Sequence, residues 1–246
     1  MVVEYPLYGE SCTLAITLYA DGETNFALSV KDADNSGVVL TDRTGVIKGQ
    51  QVYYVRMPIC PDIALIDVQG QNSEVEIDDL EVMHLPTDFS SELFKRQDVQ
   101  NFINFAEEFA YNANYIDANK SYYSDDERYE IKYLEVIIED GQVDPTPARI
   151  SQKTGIIEVS QKDFLRYTIP MRVAILLHEF AHFYVNEVME DEVEADKHSL
   201  TLYMGLGYPR IDAYNVYLDV FETTPTEGNR DRYDALQRLF NEKYVA

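Results

Sequence analysis

Two histidines and a glutamate stand together in HEFAH, residues 178–182, within the otherwise apolar run PMRVAILLHEFAHFYVNEV. A helix that is apolar nearly all the way round is a buried one. In such a helix His178 and His182 lie one turn apart on the same face, where both imidazoles can reach one zinc ion at about 2.0–2.1 Å. Glu179 is rotated by roughly a quarter turn or slightly more from His178. That is too far round to complete the chelate, but it places the carboxylate to reach a water on the metal as a general base. Hydrolysis at zinc needs three protein ligands and an open fourth position, so one ligand must come from elsewhere.

The acidic run NEVMEDEVEADKHSL follows at once. Glu192 and Asp196 stand four apart at the expected start of another helix. Glu192 is the candidate third ligand. Asp196, one turn on, can accept the far ring proton of a ligating histidine and fix its tautomer. Glu187, Glu194 and His198 compete for the third position, and the sequence leaves that choice open. The connection is short, so the first helix must stop near Asn186, a residue able to take the left-handed conformation common at helix ends. Two histidines beside a glutamate in an apolar helix, kept for structure alone, would need many buried hydrogen-bond partners.

HEFAH followed by EVEAD resembles the gluzincin metallopeptidases. In that family HExxH supplies two ligands and the base, and the first Glu of ExxxD supplies the third ligand. The resemblance implies His178, His182 and Glu192 as zinc ligands, Glu179 as the catalytic base and Asp196 beside the ligand shell. It covers the helix pair, and the strand–strand–helix order before it is similar to the zincin fold. The spacer between the two motifs is shorter than in the better-known gluzincins. The run from His178 to Tyr214 also resembles metallopeptidase-like proteins of tailed bacteriophages, including the crAss-like group. The implied activity is that of a zinc-dependent endopeptidase acting on a protein or peptide substrate, which would pair along the strand Gly155–Val159 as an edge. Tyr203, Tyr208 and Arg232 are unranked candidates for stabilising the oxyanion.

The elements that must hold this site differ from what precedes it. From Cys12 to about Pro86 short alternating stretches, TLAITLYA, NFALSV, QVYYVRM, DIALIDVQ and EVEIDDLEVMHL, are separated by turn signals such as ADGE, DNSG, TG and GQN. This predicts a small antiparallel β-sandwich of immunoglobulin-like or jelly-roll type. Beyond Leu85–Asp88 the grammar changes. Phe102, Ile103, Phe105, Ala106, Phe109, Ala110 and Ala113 follow helical spacing, with Glu107 and Glu108 opposite. Strands are predicted over Tyr129–Ile138 and Arg149–Ser160, the second split by Lys153-Thr154-Gly155 into a hairpin. A helix follows from near Thr168, with Pro170 in its first turn, and further helices are predicted over Val193–Met204, Ile211–Phe221 and Asp231–Tyr244. The expected class is α+β: a β-sandwich domain, 1–86, followed by a zincin-like metallopeptidase domain, 87–246.

With 44 acidic against 20 basic side chains in 246 residues the formal charge is -24. That repels phosphate backbones and argues against nucleic acid as a partner. No segment has the length and apolarity of a membrane span, and MVVEYPLYGE lacks the basic opening and apolar stretch of a secretory leader. The expectation is a soluble protein, cytoplasmic or virion-associated. The two cysteines, Cys12 and Cys60, exclude a disulfide framework, and two reduced, buried thiols are expected. A second reading makes the zincin-like fold architectural, with little or no activity. The chain is then a component of a larger assembly, such as a phage virion, that docks through its β domain.

Overall fold

The computed structural model describes residues 1–9, 11–83, 87–223, 232 and 234–238, of 219–223 the backbone only. The chain forms two compact units. The first is Met1–Thr87 with the short pieces Thr168–Pro170 and Gly207–Pro209, and the second is Asp88–Tyr167, Met171–Leu206 and Arg210–Ala246. Of the boundary expected at Leu85–Asp88, Leu85 and Pro86 lie outside the described residues.

The first unit is an antiparallel sheet of β1 (Val2–Pro6), β2 (Cys12–Asp32), β3 (Val39–Met57), β4 (Ile63–Gly70) and β5 (Glu76–Met83). Their order is β1-β4-β2-β3, with β5 also on β2. One edge of β2 meets β3 along its length. The other is shared by β5, over Thr13–Tyr19, and β4, over Phe26–Asp32. The predicted strands TLAITLYA and NFALSV are thus one strand, and ADGE is no hairpin turn. Pairing jumps from Ala20↔Gly49 to Thr24↔Ile47, so Asp21, Gly22 and Glu23 bulge opposite Lys48 alone, beside Gly49 at a φ of 69°. The chain reverses instead at the DNSG signal. There the Asp34 and Gly37 amides donate to Asp32 Oδ1 (2.9 Å) and Asn35 Oδ1 (3.0 Å). Leu14, Ile16, Leu18, Leu28, Val55 and Ile66 are fully or almost fully buried and form the core of this sheet. All five strands belong to one hydrogen-bonded sheet.

The second unit is helix-rich. After a 3-10 turn, Glu92–Lys95, come α1 (Gln97–Asn112), β6 (Lys120–Tyr123), β7 (Glu130–Leu134), β8 (Ile137–Glu139), β9 (Gln142–Asp144), β10 (Ala148–Ile150) and β11 (Ile157–Ser160). Helices α2 (Gln161–Phe164), α3 (Ile169–Tyr184), α4 (Glu192–Gly205) and α5 (Arg210–Thr223) follow. A mixed sheet runs β10-β11-β7-β6, and its one parallel pair is β11 with β7. The whole chain is therefore α+β, an antiparallel β region followed by helices with a small mixed sheet. The helix predicted over Asp231–Tyr244 lies mostly outside the described residues.

Helix α3 is fixed from two sides. The aromatic stripe of α1 meets it through Phe102, which stacks on Phe180 with ring centroids 4.1 Å apart, and Tyr129 packs edge-on to both rings. Residues two apart in a helix point in nearly opposite directions, so burying Phe180 turns His178 and His182 the other way. Near the start of α3, the fully buried Arg172 reaches helix ends with its guanidinium. It donates to Ala110 O (3.1 Å), Asn114 Oδ1 (2.6 Å) and Leu165 O (3.2 Å), satisfying carbonyls that α1 and α2 cannot bond themselves.

Candidate metal centre

Helix α3 carries His178, Glu179 and His182, and α4 begins at Glu192 because Asp191 caps it, its carboxylate accepting from the Glu194 amide at 2.9 Å. The short link between the helices is held by Asn186. Its amide and that of Val185 both donate to Ala181 O (2.8 and 3.1 Å). Its side-chain Nδ2 donates to Asp191 O (2.9 Å), while its Oδ1 lies 3.0 Å from His198 Nδ1. Asn186 is not left-handed. The paired bonds to Ala181 O and the side-chain bridge end the helix in place of that conformation.

The link brings three donor atoms together. His178 Nε2 and His182 Nε2 are 3.0 Å apart, and Glu192 Oε2 is 3.4 Å from the first and 3.5 Å from the second. Donors bonded to one tetrahedral zinc at 2.0–2.1 Å are separated by about 3.3 Å, so the triangle is already of metal-binding size. His182 Nδ1 lies 2.6 Å from Met189 O, which can only accept. That nitrogen therefore carries the proton, and in the neutral ring Nε2 presents its lone pair to His178. Two ring nitrogens facing each other beside a carboxylate are what a cation between them would satisfy. Among the described residues His178, His182 and Glu192 form the group that can hold a metal ion.

Behind the triangle, Asp196 Oδ1 lies 3.0 Å from His178 Nδ1, out of hydrogen-bond alignment. Arg232 grips the same carboxylate with Nε and Nη2, both at 2.8 Å, and reaches Glu192 Oε2 with Nη1 at 2.9 Å. Ser199 Oγ donates to Asp196 O (3.0 Å), so the 2.6 Å contact between Ser199 and Tyr217 has the tyrosine as donor. Charges set the proton affinities. Burial opposes a charged His178, but Asp196 and Glu192 outweigh it and raise its pKa to about 10. Burial likewise works against ionised Glu192 and Asp196. The two histidines and Arg232 hold Glu192 well below the usual carboxylate range, and Arg232 with His178 lowers Asp196. Glu179 goes the other way: burial raises it, against the pull of His178, His182 and the Ile150 amide.

A cavity of about 500 Å³ opens over the three donors, and Glu179 lines it without joining them. Its other walls include Ala148, Ile150, Ile175, Val216, Tyr217 and Arg232. Of the competitors for the third position, Glu194 Oε2 accepts from the Glu187 amide (3.2 Å) and His198 meets Asn186, so none of the three joins the triangle. Of the three oxyanion candidates, Arg232 lines the cavity, whereas Tyr203 and Tyr208 are buried away from it. The expected edge strand Gly155–Val159 is corrected. β11 is paired on both sides, by β10 and β7; the edges of this sheet are β10 and β6, and it is β10 whose residues line the cavity. Tyr217 and Ser199 were not singled out in the sequence. They sit on helical positions like any core residue; Ser199 meets Asp196 within α4, and only the packing of α5 on α4 brings Tyr217 to them.

No known protein family, curated protein or solved structure matches the chain.

Proposed function

We propose that the protein is a zinc-dependent endopeptidase of gluzincin type, and that His178, His182 and Glu192 hold the zinc. The observation that carries this reading is the convergence of the three donors within 3.0–3.5 Å of one another, with a second carboxylate, Glu179, beside them on an accessible cavity. Zinc, when bound, polarises the scissile carbonyl and makes water acidic enough to attack near neutral pH. The rest falls to the chain. Glu179, with its proton affinity raised by burial, takes the proton of the attacking water and delivers it to the departing amine. The Met189 carbonyl orients the His182 imidazole through Nδ1, the Asp196 carboxylate attracts the His178 ring by its charge, and Arg232 keeps Asp196 and Glu192 ionised and in place. An extended substrate pairs along β10, the sheet edge that lines the cavity.

The same reading takes 87–246 as a zincin-like domain and 1–86 as a β-sandwich that recruits a protein partner or substrate. It is supported by the placement of the donors, Glu179 and the cavity, all in the second unit. The test is hydrolysis of a mixture of unfolded proteins. Cleavage is expected to stop with a chelator and return when zinc is restored. Bound zinc without cleavage of any protein offered would favour the architectural role instead.

A further inference from the structure

The N-terminal unit holds both cysteines of the chain, and they meet although 48 positions apart: Cys12 Sγ and Cys60 Sγ are separated by 3.2 Å. Both are reduced and buried, with exposures of 3% and 6%. Cys12 opens β2 opposite Met57, the last residue of β3. Cys60 follows in the irregular link to β4, between Pro58 and Pro61. It points its sulfur at Cys12 and lies 3.5 Å from Met57 O. One partner is thus anchored in the sheet, while the other sits in an irregular link outside it. Reaching a disulfide bond length of about 2.0 Å asks that link to give by roughly an ångström. Two thiols alone are a poor cation site, and no third donor joins them among the described residues.

We propose that Cys12 and Cys60 form a thiol–disulfide exchange site, which closes to an intramolecular disulfide on meeting a low-molecular-weight disulfide such as glutathione disulfide. Cys12 thiolate attacks one sulfur of that disulfide, breaking its S–S bond, forming a mixed disulfide and releasing one glutathione thiolate. Cys60, deprotonated as it reacts, attacks the Cys12 sulfur. The Cys12–Cys60 bond forms, the mixed disulfide breaks and the second glutathione leaves. Two protein thiols lose two electrons and two protons, and one glutathione disulfide becomes two glutathione thiols. The surroundings favour this order. The hydrogen bond from Cys60 lowers the pKa of Cys12 against the effect of burial, with help from Arg56, whose Nη1 lies 3.3 Å from Cys12 O. The same bond, with burial, raises Cys60. Closing so long a loop restricts the unfolded chain, so the oxidised form resists heat better. The inference is independent of the metal centre, which lies in the other unit.

The intact chain is equilibrated with graded ratios of oxidised to reduced glutathione at a temperature just below its thermal transition. It is then alkylated and weighed by mass spectrometry. The expected result is loss of both alkylatable thiols in one step, a mass lower by two hydrogens with no retained glutathione, a monomeric product with a higher Tm, and full reversal by excess reduced glutathione. Cys60→Ser should stop at the glutathione adduct on Cys12, with no rise in Tm. Both thiols still alkylatable at the most oxidising ratio would overturn the proposal, as would a disulfide found only between two chains.

Discussion

At the scale of the residue, the centre is a set of groups that set one another's proton affinities. His178 is the clearest case, since the carboxylates around it keep it protonated to about pH 10 without metal. Zinc needs the bare Nε2, so binding must expel that proton. Below pH 10 each unit of acidification therefore weakens binding by about tenfold, and each unit of alkalinity restores it. Calorimetric titration of zinc at pH 6, 7 and 8 should show this rise in affinity with pH, with roughly one proton released at pH 7. Equal affinity across the range would mean that His178 holds no proton for zinc to displace. Asp196 stands behind that ring, fixed by the two-pronged grip of Arg232. Asp196→Asn keeps the shape but removes the charge that orients the imidazole, and should weaken zinc binding by roughly ten- to a hundred-fold. A competition assay against a chromophoric chelator measures this. Unchanged affinity would make the contact incidental.

At the scale of the element, the site depends on how α3, α4 and the β10–β11 hairpin are held. Gly155 turns that hairpin at a φ of 70°, and a Cβ there would come within 2.5 Å of Tyr184 Oη and 2.9 Å of the Phe183 ring. Gly155→Ala should therefore lower stability by about 1–2 kcal/mol for the left-handed backbone alone, more with the clash, and displace β10 from α3. Chemical denaturation checks it, and a variant as stable as the wild type would contradict this account of the turn. The helices were legible because their signals are local: the apolar run around HEFAH, the stripe Phe102–Ala113 and Pro170 in a first turn. Glu192 and Asp196 were legible too, because four-residue spacing puts both on one face of a helix. What depends on pairing was not legible. ADGE has turn residues yet forms a bulge, because β3 continues past it. β11 reads like an edge strand but is interior, because β7, more than twenty residues earlier in the chain, pairs with its far side. The left-handed end expected at Asn186 is replaced by a side-chain bridge that needs Asp191 and His198 in place.

At the scale of the whole molecule, the acidic chain separates a β unit from a unit that holds every group of the centre. Removing the first 87 residues should leave a chain that keeps its helical circular dichroism and one zinc per molecule, and loss of both would show that the helices need the sheet to fold. Arg232 and Tyr217 show what sequence spacing could not supply, since each reaches the site from an element whose position only the packed fold determines. The central claim is that the centre hydrolyses peptide bonds with Glu179 as its base, and comparing wild type with Glu179→Gln tests it most directly. The substitution preserves size and polarity and removes only the ability to take a proton. Zinc content and circular dichroism should be the same in both proteins, while cleavage of a mixture of unfolded proteins falls by at least about a hundred-fold in the variant. Equal cleavage by the two proteins at equal zinc content would contradict the account.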